Sequence, residues 1–264
     1  LVPIQHWFFE QDFKIPNYWN QSFLFHAPHN LSVQDLEAYL SIIEQHHDAL
    51  RLRFVDGSAF YAEQSEIVVE HHDLSQLLTE SLCLRAIEEH SLTAKRSLSL
   101  TQAPLFKGVL FNLPEGEKRL LLTVHHLVVD TVSWRILIED LTHLHTLSEQ
   151  NKPLALSRKT SAFQLWGAKL AKYAQSDVLT SELRYWKTVV KPTMPALPAD
   201  NLGAQGAQGA RGVLSTTLDP AETAALLALV ASANGAQVQH LLITGVLSAY
   251  HAWSGYSSRR MNLE

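Results

Sequence analysis

The stretch HHLVVDTVSW, residues 125–134, places two adjacent histidines ahead of an aspartate, a serine and a tryptophan. The preceding apolar segment alternates, so that His126 shares a predicted strand face with Val124, while His125 lies on the opposite face with Thr123. A histidine fixed at the end of a buried strand can still reach a cleft, and the imidazole pKa of about 6.5 suits proton transfer near neutral pH. The spacing leaves two interpretations open: a proton-transfer group, or a structural pair whose ring nitrogens are satisfied locally.

Two further histidine pairs stand in the stretches HHDAL and HHDL, which begin at residues 46 and 71. His47 falls on the apolar stripe of a predicted helix, which favours a buried structural histidine over a catalytic one. The pair in HHDL ends an apolar strand, and Asp73 or Ser75 is predicted to cap the helix that follows. Neither setting resembles that of HHLVVDTVSW, which remains the candidate for chemistry.

Composition excludes several classes of function. The 264 residues carry a net charge of −5 with no basic cluster, which argues against nucleic acid as a partner. No apolar run reaches the roughly 18 residues of a membrane span, and the N-terminus has no basic leader followed by an apolar segment. Cys83 is the only cysteine, which fits a reducing compartment, so we expect a cytoplasmic protein without a membrane partner. His126 and Asp130 alone are too few for a metal site, and no metal is predicted.

The order of the predicted elements favours a mixed α/β sandwich over a series of parallel βα units. Predicted strands cover 20–27, 50–55, 66–74 and the stretches APLFKGVLFN and KRLLLTVHHLV, and predicted helices follow Ser32 and Asp130 and cover 162–189. The stretch 191–212 is rich in proline and then in glycine, alanine and glutamine, which predicts a linker between a first domain, 1–190, and a second, 213–264. The second begins with the predicted strand GVLSTTL and ends with the predicted strand RRMNLE, so we expect it to be incomplete.

Several motifs together resemble one protein family. HHLVVDTVSWRIL is similar to the HHxxxDxxSW core motif of epimerization domains in nonribosomal peptide synthetases, which belong to the condensation-domain superfamily. The other stretches that fit the family are PIQHWFF (3–9), NQS (20–22), HHDALRLRF (46–54), APLFKGVLF (103–111), SAFQLWGAKLAKYAQS (161–176), ELRYW (182–186) and the final MNLE. The stretch QHLLITGV departs from the DxLLxAxG pattern of the family. The resemblance extends over the whole chain.

The resemblance implies a fold and a set of partners. The fold is a chloramphenicol-acetyltransferase-like α/β sandwich, with a first half over 1–190 and the start of a second, similar half over 213–264. A tunnel between the halves of such a domain admits the phosphopantetheine arm of a carrier protein. The implied partners are therefore a peptidyl carrier protein and adjacent synthetase domains, and no cofactor is bound directly.

The resemblance also implies a reaction, the inversion of the Cα of an aminoacyl or peptidyl thioester from L to D by acid/base proton transfer. The implied catalytic pair is His126 and Glu264, one on each side of Cα. The implied supporting residues are His125, Asp130, Arg51, Ser133 and Trp134. Asp130 is predicted to brace its loop through an ion pair, with Arg51 as the first choice of partner and Arg53 as the second. Two alternatives stay open: a condensation domain, which uses the same histidine to form a peptide bond, and a noncatalytic member of the superfamily that binds carrier protein.

Overall fold

The computed structural model describes residues 1–63, 66–190, 214–232 and 235–256. The strands in these ranges are β1 Asn20–Ala27, β2 Leu52–Val55, β3 Ser58–Tyr61, β4 Glu70–Asp73, β5 Phe106–Asn112 and β6 Lys118–His125. The α-helices in the same ranges are α1 Pro3–Glu10, α2 Val33–His46, α3 Glu80–Arg96, α4 Thr131–Glu149, α5 Phe163–Ala174, α6 Asp177–Val190, α7 Pro220–Ser232 and α8 Val238–Ser254. None of these helices is long and apolar enough to cross a membrane.

The main sheet has four strands in the order β1–β6–β5–β4. Strand β6 pairs antiparallel with β1 and with β5, whereas β4 pairs parallel with β5. The histidine pair therefore lies at the end of an interior strand, where Asn20 of β1 is opposite His125. Strands β2 and β3 form a separate hairpin, and the predicted turn at Asp56 and Gly57 is confirmed by their φ angles of 48° and 69°.

Strand β6 is buried on both faces because helices cover both sides of the sheet. Leu122 and Val124 lie in the larger core, where Leu40 of α2 and Trp134 of α4 are also buried. Leu121 lies in a second core together with buried residues of α3. The predicted alternation along this strand is confirmed. Since a slip of one residue would exchange the two faces, the alternation also fixes the register that presents the histidines.

Gly108 of β5 allows a close approach between α2 and the sheet. A Cβ atom at this position would lie 3.0 Å from Cδ1 of Leu40 and 3.7 Å from Cδ2 of Leu122. The first distance is too short for an ordinary carbon–carbon contact, so a side chain here would push Leu40 outward. The missing side chain thereby lets α2 pack against the strands that carry the histidine pair.

A hydroxyl side chain caps the N-terminal end of α2 and another caps that of α3. Ser32 caps α2 as predicted, because its hydroxyl accepts a hydrogen bond of 3.0 Å from the backbone N–H of Asp35. Helix α3 is capped by Thr79, so the predicted caps Asp73 and Ser75 are wrong. Asp73 instead accepts a 3.0 Å hydrogen bond from the backbone N–H of Ser75 and closes the turn after β4, since this helix begins too far along the chain for either residue to reach it.

Contacts within the chain group it into two compact units, Leu1–Ser181 and Glu182–Glu264. The single helix predicted over 162–189 is divided into α5 and α6, because the hydroxyl of Ser176 accepts from the backbone N–H of Leu179 and so starts a new helix.

The described part of the second unit is helical. The strand predicted at GVLSTTL does not form over residues 214–218, which lie beside no strand in the described part of this unit. The helix predicted to begin at Pro220 and the helix VQHLLITGVLSAYHAW are confirmed as α7 and α8. The predicted linker and the predicted final strand lie outside the described residues, and the predicted domain bounds stay a prediction.

Candidate active site

His125 is a fully buried histidine with a structural setting. Its Nε2 lies 2.9 Å from the backbone carbonyl oxygen of Pro16, so this nitrogen carries a proton and donates it. Its Nδ1 accepts a 3.2 Å hydrogen bond from the backbone N–H of Leu127. The ring of Phe8 packs edge-on against it, with 5.7 Å between the centroids. Burial lowers the pKa of His125 to about 4 despite the opposing effect of the hydrogen bond to Pro16, so the ring is neutral near pH 7.

Two backbone carbonyl groups hold His126, one through its main-chain N–H and one through its ring. Its main-chain N–H donates to the carbonyl oxygen of Trp19 at 2.9 Å, and the two rings pack with 4.9 Å between their centroids. The ring Nδ1 lies 2.9 Å from the carbonyl oxygen of Val129. A carbonyl oxygen can only accept, so Nδ1 of His126 carries the proton.

Gln21 of β1 connects His126 to the buried indole of Trp134. The indole N–H donates to the amide oxygen of Gln21 at 2.8 Å, and the amide nitrogen of Gln21 lies 3.1 Å from Nε2 of His126. Because an indole N–H only donates, the amide oxygen must face Trp134 and the NH₂ group must face His126. The ring Nε2 is therefore the acceptor. His126 thus holds a proton on Nδ1 and presents Nε2 to Gln21, an arrangement in which Nε2 is the ring nitrogen placed to act as a base.

Asp130 caps helix α4, and Ser133 is its partner. One carboxylate oxygen of Asp130 accepts from the backbone N–H of Ser133 at 2.7 Å and from its hydroxyl at 2.6 Å. Burial by itself would raise the pKa of Asp130, but these two hydrogen bonds and the nearby His126 together bring it below its usual range. The cap fixes the start of the helix that carries Trp134, so the aspartate acts on the site through the backbone.

The predicted ion pair between Asp130 and Arg51 is wrong. The guanidinium of Arg51 donates to the backbone carbonyl oxygens of Glu44 and Gln45, at 2.8 and 3.0 Å. These oxygens belong to the last turn of α2, where the chain offers unpaired carbonyl groups. Arg51 therefore stabilises the C-terminal end of that helix and takes no part in the histidine site.

The other histidine pairs lie away from this site and have local partners. His47 Nε2 lies 2.6 Å from a carboxylate oxygen of Asp140, which joins α2 to α4. The ring of His72 stacks on that of His90 of α3, with 3.6 Å between the centroids. Both arrangements connect neighbouring elements, as expected of structural histidines.

The N-terminal segment packs directly on the histidine loop. The Gln5 amide nitrogen donates to the carbonyl oxygen of Leu127 at 3.1 Å, and its oxygen accepts from the backbone N–H of Val2 at 3.0 Å. Phe8 stacks on Trp19, the aromatic neighbour of His126, with 4.6 Å between the ring centroids. The stretch PIQHWFF is therefore part of the wall that supports the site.

The architecture and the histidine loop match a known family. The profile of the Condensation domain family matches residues 1–260. The chain belongs to the condensation-domain family. This condensation-family domain is 38% identical over 270 residues to a linear gramicidin synthase of Brevibacillus parabrevis, with all of the chain and 5% of that synthase polypeptide covered. It therefore spans a small part of this curated relative.

Solved structures confirm the predicted fold class. The epimerization domain from the third module of tyrocidine synthetase B is 32% identical, with a TM-score of 0.87 over 97% of this chain and 59% of that chain. The first condensation domain of the calcium-dependent antibiotic synthetase is 19% identical, with a TM-score of 0.73 over 97% of this chain and 61% of that chain. The condensation-family domain thus has the chloramphenicol-acetyltransferase-like α/β fold, and its resemblance to epimerization domains of nonribosomal peptide synthetases is confirmed.

The structure brings together five of the predicted site residues and adds one. The five are His125, His126, Asp130, Ser133 and Trp134, which lie around the loop and the start of α4. Arg51 lies elsewhere, and Glu264 is outside the described residues. The residue that sequence reasoning missed is Gln21. Its only signal was membership of the NQS motif, since a polar side chain on a strand does not reveal which neighbour it meets.

Proposed function

We propose that this domain inverts the Cα of an aminoacyl or peptidyl thioester carried on the phosphopantetheine arm of a peptidyl carrier protein, next to adjacent synthetase domains. The observation that carries the proposal is the geometry of His126, whose ring lies between the carbonyl oxygen of Val129 at Nδ1 and the amide of Gln21 at Nε2. The similarity to a solved epimerization domain, at 32% identity over almost the whole chain, favours inversion among the activities of the superfamily.

The chemistry needs one base and one acid on opposite faces of the substrate. The thioester carbonyl makes the α-hydrogen acidic enough for a protein base, and Nε2 of His126 is the nitrogen able to remove it. Returning a proton to the other face requires a second group. The family motif assigns this role to Glu264, which remains part of the proposal.

A condensation domain would use the same histidine, so other features of the sequence must distinguish condensation from epimerization. The opening motif PIQHWFF and the final MNLE fit epimerization domains. The intact HHLVVDTVSW stretch argues against a noncatalytic member that only binds carrier protein. Both alternatives are outcomes of the test below.

Deuterium exchange at Cα tests the proposal. The domain, within its synthetase polypeptide, is mixed in deuterated buffer with a carrier protein loaded with an L-aminoacyl thioester. We expect solvent deuterium at Cα together with D product, both measured after release of the amino acid. Peptide-bond formation without exchange would assign the domain to condensation, and binding of the loaded carrier with neither reaction would make it a noncatalytic member.

A further inference from the structure

We propose that a recess between β1, α2 and α4 binds an uncharged molecule built on a single aromatic ring. The recess has a volume of about 170 Å³, and Phe25, Tyr39, Leu120 and Leu141 are among the residues that border it. All of these residues belong to the first compact unit of the chain. The inference does not rest on the proposed function, because the recess takes no part in the chemistry proposed for His126.

The recess lies toward the opposite end of β1 from the histidine pair. Asn20 at the start of β1 is opposite His125, whereas Phe25 and Ala27 near the end of the strand border the recess. At about 3.4 Å per residue, Phe25 lies roughly 17 Å along the strand from Asn20. The recess is therefore separate from the candidate active site.

The volume of the recess suits one ring. Well-packed protein interiors contain few voids larger than a water molecule. An engineered apolar cavity of about 150 Å³ in another protein binds benzene. A recess of about 170 Å³ can therefore hold a molecule of the size of benzene or toluene.

The side chains around the recess favour an aromatic ligand without charge. The rings of Phe25 and Tyr39 border it together with the imidazoles of His26 and His145. Tyr39 and His145 already pack edge-on, with 6.2 Å between their centroids, and a further ring can join them in the edge-to-face or offset contacts that aromatic groups prefer. Among the described residues, those that border the recess include no Lys, Arg, Asp or Glu. A charged ligand would therefore lose its hydration without gaining an ion pair with one of these residues.

The recess has a buried apolar floor and a polar mouth. Leu31 and Leu120 are 4% and 3% exposed, whereas His26, Pro28 and Thr142 are exposed. A ring can thus enter from solvent and contact buried aliphatic side chains, while a small polar substituent stays in water at the mouth.

Methyl NMR of the 264-residue chain with toluene as the ligand tests the proposal. The methyl signals of Leu120, Ile138 and Leu141 should shift and saturate as toluene is added, while those of Ile87 in the second core should not. Binding to the folded state should also raise Tm with toluene concentration. Methylcyclohexane has a similar size but no aromatic ring, and we expect it to bind about 2- to 10-fold more weakly, the effect of an aromatic contact.

Two substitutions that fill or cover the recess give the sharper test. Ala27→Leu adds carbon atoms inside it and should weaken toluene binding about tenfold or more, because the ring loses part of the volume it needs. Leu24→Phe adds bulk to an exposed position of the same strand outside the recess and should bind as the parent does. Thr142→Trp covers the mouth and should also weaken binding, whereas His143→Trp changes the neighbouring exposed position of α4 and should not.

Each outcome bears on the recess alone or on the reaction alone. Shifts that do not saturate, equal shifts at Ile87 and Ile138, or parent-like binding in folded Ala27→Leu would overturn the proposal. If Ala27→Leu does not fold, Thr142→Trp decides. Equal affinities for toluene and methylcyclohexane would overturn the aromatic preference. A chain that binds toluene as expected but exchanges no Cα hydrogen would support the recess and overturn the epimerase proposal.

Discussion

His125 and His126 are adjacent in the chain, yet they hold their ring protons on opposite nitrogens. His125 donates from Nε2 to Pro16 and accepts at Nδ1 from Leu127, whereas His126 donates from Nδ1 to Val129 and accepts at Nε2 from Gln21. In His125 both nitrogens are used by the backbone. In His126 the acceptor nitrogen faces the side chain of Gln21. The two rings therefore differ in their partners: His125 is held by the backbone alone, and His126 by the backbone and a side chain.

Replacing His126 by alanine should abolish most of the Cα exchange. Loss of a general base typically slows proton transfer about 10²- to 10⁴-fold, and we expect a fall of this size in at least one direction of inversion. Exchange rates measured separately from the L and D thioesters check this. His143→Ala, which removes an exposed histidine of α4, is the control. Parent-like exchange in His126→Ala would move the site elsewhere.

Glu264→Gln should block net inversion while leaving the chain folded, because an amide keeps the shape of the side chain but cannot accept or return the proton. If each group serves one face of Cα, His126→Ala and Glu264→Gln should be most defective in opposite directions. Comparing deuterium uptake from L and D substrates measures this. Inversion at the parent rate in Glu264→Gln would exclude the two-base scheme.

Acid should destabilise the chain through His125. Its folded pKa of about 4 is below the unfolded value of about 6.5, so the unfolded state binds more protons between these values. The contribution to the free energy of unfolding is complete above about pH 6.5 and falls by about 2 kcal/mol on going from pH 7 to pH 5. Urea unfolding at both pH values measures it.

The comparison that isolates this effect is His125→Gln. The variant loses hydrogen bonds and should be less stable at pH 7, but its stability should fall less between pH 7 and pH 5. The pKa values of His46 and His72 are also lowered, each first by burial, and both residues remain in parent and variant alike. An equal acid-induced loss in parent and variant would contradict a titrating role for His125.

Asp130→Ala should lower the free energy of unfolding by about 0.5–2 kcal/mol, the usual effect of a lost helix cap. A broken buried ion pair would cost about 3–5 kcal/mol, which the structure does not support here because Asp130 is paired with Ser133. Urea midpoints of Asp130→Ala and of Asp130→Asn, which keeps a capping oxygen, check the difference. A loss in the asparagine variant as large as in the alanine variant would argue for a role of the charge.

The fold was predictable where local chemistry decides it. The alternation around Leu122 and Val124, the hydroxyl at Ser32 and the turn at Asp56 act over a few residues, and the structure confirms what they predict. The role of Gln21 was not predictable, because it depends on the pairing between β1 and β6 and on a tryptophan of a later helix.

The misassigned partner of Asp130 has a similar explanation. Arg51 and Asp130 carry opposite charges in motifs of the same family, and sequence offers no distance between them. In the structure each finds a nearer helix end: Arg51 meets the carbonyl groups that end α2, and Asp130 meets the N–H groups that begin α4. Both residues therefore have hydrogen-bond partners at nearby helix termini, and neither depends on a long-range ion pair.

The contact between Gln5 and Leu127 limits where chimeric synthetases can be joined. Gln5 and Leu127 are more than a hundred positions apart in the chain, yet their contact supports one loop. A junction that replaces helix α1 with that of another synthetase would therefore alter the packing around His126 without changing the histidine motif. A junction upstream of Val2 keeps the contact between Gln5 and Leu127. A junction beyond Phe8 exchanges Gln5, so the incoming sequence must also supply a matching histidine loop. Compatibility between these two distant segments is a selection criterion for fusion partners.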